Sequence, residues 1–149
     1  MANNNFQRVG AVSNAHAGND FEAAARAFFA TQGISLTRNF AVPVGVGTAK
    51  KLHRFDLGSE APPVLVECKS HTWTQGGNMP SAKMTVWNEA MYYFHVAPAS
   101  YRKIFFVLKH HRKDQSLAAY YLRTHGHLVP ERVELWEYDL KFSTAERLR

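Results

Sequence analysis

The chain has 149 residues, enough for one domain with its own core, and 46% apolar with 13% aromatic content excludes a disordered polymer. Eighteen basic against twelve acidic residues leave a net charge of +6, which suits a polyanionic partner without demanding one. No run approaches the roughly 18 apolar residues of a membrane span, the polar start MANNNFQ lacks a signal peptide's apolar stretch, and the single cysteine, Cys68, excludes an intrachain disulfide and fits a reducing, cytoplasmic setting.

Residues 1–17 are rich in Asn and Ala with little periodicity and are expected to form a flexible lead to a single domain over 18–149. A helix is expected from Gly18, capped by Asn19 or Asp20. Phe21, Ala24, Ala25, Phe28 and Phe29 recur there at helical spacing, and Gly33 supplies a stop. Three strand-like runs follow at 36–46, 51–57 and 64–70, with Pro43 suited to an edge or bulge. GSEAPP, between the second and third, has the composition of a hairpin loop.

The polar stretch HTWTQGGNMPS reads as a loop, and 80–97 as a helix with Met84, Trp87, Met91 and Phe94 on one stripe, ended by Pro98. KIFFVLKH, 103–110, is a strand apolar enough to be covered on both faces. HHRKDQ turns into a helix over 114–124, and VELWEYDL, 133–140, is the last strand. The order helix, three strands, helix, strand, helix, strand predicts an α/β mixed sheet flanked by helices.

The chemistry concentrates in VLVECKS, 64–70. In an extended strand Val64, Val66 and Cys68 share one face, and Leu65, Glu67 and Lys69 the other. A hairpin centred between Ala61 and Pro62 sets Asp56 opposite Glu67, where directly paired Cβ atoms lie about 4.5–5.5 Å apart. Two carboxylates so close repel one another unless a cation separates them. Oxygen ligands favour a hard ion, Mg²⁺ or Mn²⁺, which retains waters that a substrate phosphate can replace. Lys69 on the same face would orient or help deprotonate an attacking water and offset charge on a phosphorane-like transition state. An isolated Glu-x-Lys is ordinarily a solvated strand face; Asp56 is what raises this one above that reading.

The spacing Asp56, ten residues, then Glu67-Cys68-Lys69, set in helix–strand–strand–strand–helix–strand, resembles the PD-(D/E)xK, or restriction-endonuclease-like, nuclease superfamily. The likeness covers about residues 18–110, and GNDFE at 18–22 is similar to the Gly-x-x-x-Glu in the first helix of many members. Phe55 stands where the family name has proline. The resemblance implies an αβββαβ core with an added C-terminal helix and strand. It makes Asp56 and Glu67 metal ligands, the Cys68 backbone carbonyl a further ligand and Lys69 the catalytic lysine, with Glu22 holding water on the metal or a second ion. Junction resolvases, small restriction enzymes and mobile-element nucleases share these parts, so no subfamily is implied.

The expected activity is therefore Mg²⁺-dependent hydrolysis of DNA phosphodiesters, by restriction-like or structure-selective cutting, with Mn²⁺ substituting. Cutting two strands implies a homodimer, and the short chain leaves room for a partner protein that supplies specificity. The rival readings are a non-catalytic nucleic-acid-binding module on the same fold and an RNA-processing nuclease. His71, Thr72, Gln75 and Asn78 of the loop after the catalytic strand, with Lys83 on the next helix, suit backbone and base-edge contacts. The basic turn His110, His111, Arg112 and Lys113 suits phosphate. The eight histidines show no HxxxH or Cys/His zinc spacing beyond His125-Gly126-His127, which is too close for the usual pattern.

Overall fold

The structure, a computed structural model, describes the backbone of residues 4–149 and the side chains from residue 17 onward. Helix α1 (Asn4–Thr31) leads into strands β1 (Thr37–Val44), β2 (Lys51–Glu60) and β3 (Pro63–Lys69), followed by helix α2 (Ser81–Val96) and strand β4 (Arg102–Leu108). A short hairpin, β5 (His111–Arg112) and β6 (Gln115–Ser116), precedes helix α3 (Leu117–His125). A 3₁₀ turn (Gly126–Leu128), β7 (Val133–Asp139) and β8 (Thr144–Arg147) complete the chain.

Six strands form one mixed sheet in the order β1-β2-β3-β4-β7-β8. The meander β1-β2-β3 is antiparallel, β3, β4 and β7 run parallel, and β8 returns antiparallel. The parallel centre requires cover on both faces, and it has it. Phe21, Ala25 and Phe29 of α1 pack on Leu57, Val64, Val66, Ile104 and Phe106. On the other face Met84, Trp87, Met91 and Phe94 of α2, with Leu117 and Tyr121 of α3, pack on Phe55, Leu65, Phe105 and Leu135. The alternation expected along β3 and the stripe expected along α2 are both present.

Four departures from the expected elements have local causes. The first helix is under way long before Gly18, so Asn19 and Asp20 lie inside it and cap nothing. Once a helix is nucleated each further residue adds a hydrogen bond, and the Ala-rich stretch before Gly18 contains no proline to stop it; residues 1–3 of the expected lead lie outside the described residues. Strand β2 runs on to Glu60, which leaves only Ala61 and Pro62 as the turn. The third helix starts at Leu117, capped by the Ser116 hydroxyl that accepts the Ala119 N–H at 3.1 Å. The basic turn is a hairpin of its own, with Lys113 at φ +54° in its bend.

One irregularity shapes the site. Phe55 and Leu57, two apart on β2, belong to opposite cores. Their β1 partners are Phe40 and Arg38, and the residue between these, Asn39, has φ +53°. Both strands turn over at the Asn39/Asp56 step. Gly58 lies just beyond, where a Cβ would come within 2.4 Å of the Phe40 ring, so only glycine lets the rings of the turned-over strand sit so close.

Candidate active site

The β2–β3 ladder ends at Leu57↔Val66. One more step in that register sets Asp56 against Glu67, the pairing the hairpin spacing predicts. The backbone ladder does not take that step. Instead the Cys68 N–H donates to Asp56 Oδ2 at 2.8 Å, so a side chain replaces the ladder where β2 leaves β3. Strand β3 itself continues beside β4 as far as Lys69↔Val107. Asp56 is thus fixed at a fork in the sheet.

Asp56 has two carboxylate neighbours there, Glu22 and Glu67, and its charge raises the pKa of each. Burial first, and the neighbouring Asp56 second, push the Glu67 pKa up to about 8. The Lys69 ammonium, 3.5 Å from Glu67 Oε1, does not offset this. The other oxygen, Glu67 Oε2, is buried without a hydrogen-bond partner. Glu22, half-buried on α1, is also raised, by burial and by Asp56, against the opposing pull of Arg38 and Lys69. Burial pushes the Cys68 thiol well above its usual range, so it is a packing residue and no nucleophile.

A cleft of about 640 Å³ opens above these groups. Glu22, Asp56, Cys68 and Lys69 line its floor, and His71, Thr72, Gln75 and Lys83 line its wall. Glu67 lies behind that lining, with its side chain 13% exposed. The cleft therefore gathers all four expected catalytic residues on or directly behind its surface, together with four of the nine expected nucleic-acid contacts.

The other five sit differently. Asn78 closes the loop on itself, its N–H donating to Thr74 Oγ1 at 3.0 Å. His110 accepts the Trp73 backbone N–H at Nδ1 and the Trp73 indole N–H at its carbonyl, each at 3.1 Å. Arg112 stacks on the Trp73 ring, 4.3 Å from its centroid, and donates to the Gly77 carbonyl. These two residues pin the loop, and a phosphate role for Arg112 would require it to leave those contacts. His111 and Lys113 are exposed on the β5–β6 hairpin, outside the cleft lining.

Two participants fall outside the residues that the sequence assigns to the site. Trp73 is the buried post around which the loop is fastened; an aromatic in a glycine-containing polar loop was the available signal. Trp87, legible only as core, also donates its indole N–H to His71 Nδ1 at 2.8 Å.

Among the described residues, no three His, Cys, Asp or Glu side chains are grouped as ligands of one ion. The site would instead offer two carboxylates, Asp56 and Glu67, with the Cys68 carbonyl and water. That composition fits Mg²⁺, which keeps several waters and takes one or two carboxylates. The orphaned Glu67 Oε2 supports the fit, because a buried carboxylate oxygen without a donor is stabilised by a cation. Compared with family models, curated proteins and solved structures, the chain matches none of them, so function is argued from the site.

Proposed function

We propose that this protein is a Mg²⁺-dependent endonuclease that hydrolyses DNA phosphodiester bonds on a restriction-endonuclease-like core. The observation that carries the reading is the buried Glu67 beside Asp56, with a partnerless oxygen and with Lys69 at 3.5 Å, directly behind a cleft that Asp56 and Lys69 line. A packing role alone leaves that arrangement costly, since crowded buried carboxylates destabilise a fold unless protonated or paired with a cation. The basic net charge and the cleft-facing Lys83 favour a polyanionic substrate.

Asp56, Glu67 and the Cys68 carbonyl would hold the ion. When bound, it supplies Lewis-acid polarisation of the phosphate and a more acidic water. Lys69 donates to a phosphate oxygen and orients the attacking water, which stabilises charge that grows in the transition state. Glu22 fixes that water by a hydrogen bond. The water oxygen bonds to phosphorus as the bond to the leaving sugar oxygen breaks; the water's proton passes to solvent, and the departing sugar oxygen takes one up from solvent. Cutting both strands of a duplex would need two such sites, hence a homodimer.

Incubation with supercoiled plasmid, a four-way junction and RNA, each with Mg²⁺ or EDTA, tests the reading. Nicking or linearisation of DNA with Mg²⁺ is expected. RNA cleavage alone would move the substrate to RNA. Binding without cleavage of any substrate would leave a non-catalytic module.

A further inference from the structure

Histidine 71 stands on the cleft wall, directly after the Glu-x-Lys strand. Its Nδ1 accepts the indole N–H of Trp87 at 2.8 Å, and Trp87 is fully buried in the α2 core. An imidazole nitrogen that accepts carries no proton, so the neutral ring bears its proton on Nε2. Protonating Nδ1 would set two N–H donors against each other across that contact. The charges nearest the ring add to this, since Lys69 on β3 and Lys83 on α2 both oppose a positive imidazole, and burial with these lysines takes its pKa down to about 4. No described residue bonds to Nε2, which leaves one N–H donor free on the wall of the cleft.

We propose that His71 contacts the substrate: a neutral imidazole, locked in one tautomer by Trp87, that donates Nε2–H to a non-bridging oxygen of the phosphodiester. The role rests on the nuclease reading. It adds a donor that brings no net charge, so it positions the phosphate without adding to the counterion release that dominates non-specific affinity. Lys69 and Lys83 supply the charge and His71 supplies direction.

The test has two parts that fail separately. In the metal-free protein, two-bond ¹H–¹⁵N spectra should show His71 with an unprotonated Nδ1 and a protonated Nε2, unchanged from about pH 5 to about pH 8. Adding a short DNA duplex to the Lys69→Ala protein should shift the Nε2–H signal. In single-turnover cleavage, His71→Ala should lose roughly 10- to 100-fold, the scale of one hydrogen bond to a charged group. His71→Gln, whose amide nitrogen reaches the place of Nε2, should recover most of that loss with the same salt dependence. His71→Ala cutting at the wild-type rate, with only a lower melting temperature, overturns the proposal and leaves His71 as an acceptor for Trp87. A titrating ring or the opposite tautomer overturns it too. A wild-type protein that neither binds nor cuts any nucleic acid overturns the nuclease reading itself, and this role falls with it.

Discussion

Asp56 Oδ2 takes the backbone N–H of Cys68 at 2.8 Å, and this one bond both ends the β2–β3 ladder and seats the carboxylate beside Glu67. Structure and charge can therefore be separated at Asp56. Asp56→Asn keeps an oxygen for the Cys68 N–H and removes the charge, whereas Asp56→Ala removes both. The asparagine variant should fold with a melting temperature near that of the wild type and lose divalent-cation binding in calorimetric titration. The alanine variant should also lose roughly 1–3 kcal/mol of stability, the cost of an unsatisfied buried N–H. Equal stability in the two variants would contradict the structural role of the bond.

Glu67 gives the fold a pH dependence whose sign is opposite to that of most carboxylates. Its folded pKa is raised to about 8 from an ordinary 4.5, so the metal-free native state holds a proton that the unfolded chain has released. The contribution of this group is fully present below pH 4.5 and is lost as pH rises through about 8. Thermal melts in EDTA should fall across that window, with Mg²⁺ or Mn²⁺ restoring stability most at the alkaline end, where the carboxylate is free to bind it. Glu67→Gln mimics the protonated acid and should flatten both effects. A wild-type melt indifferent to pH and to divalent ions over this range would remove the metal-site argument.

How far these groups could be read in advance depends on whether their cause is local. The β2–β3 register was legible because the Ala61–Pro62 turn fixes it, and the α2 stripe because Met84, Trp87, Met91 and Phe94 keep helical spacing. Strand β8, reading TAER, has no apolar alternation and is held by pairing with β7, so nothing in its own sequence announces it. The basic turn misleads for a similar reason. Arg112 stacks on a tryptophan 39 positions earlier in the chain, and only the fold brings the two together. The burial of Glu67, whose side chain is 13% exposed, is equally a product of the folded packing around β3 and not of its neighbours in sequence.

The pinned loop separates positioning from charge. Arg112→Ala should loosen residues 71–78, seen as faster amide exchange there, and should weaken duplex binding with a salt slope nearly unchanged. Lys83→Ala, which deletes a cation on the cleft wall, should lower the slope of log K against log salt by about one. A full unit lost on Arg112→Ala would restore it as a direct phosphate contact.

Under the proposed function Glu22 serves chemistry more than stability. It sits inside a long helix, away from either end, so the helix dipole gives its charge little support. Its pKa is raised by burial and by Asp56, so Glu22→Gln should leave the melting temperature equal or slightly higher. The cleavage rate should fall by roughly 10- to 100-fold, the scale of a group that orients ligands around a metal. Wild-type cutting over a full Mg²⁺ titration would confine the site to Asp56, Glu67 and Lys69.

The role proposed for Lys69 is on the reacting phosphate, beyond its pairing with Glu67. Single-turnover cleavage of a plasmid in saturating Mg²⁺ by wild type and by Lys69→Ala, with duplex affinity measured in EDTA on the same preparations, tests it most directly. Affinity within a few-fold and a cleavage rate reduced by at least about 100-fold are expected, the loss typical of a transition-state donor. Cleavage by Lys69→Ala at the wild-type rate would contradict it and return the Glu67–Lys69 pair to an ordinary ion pair on a strand.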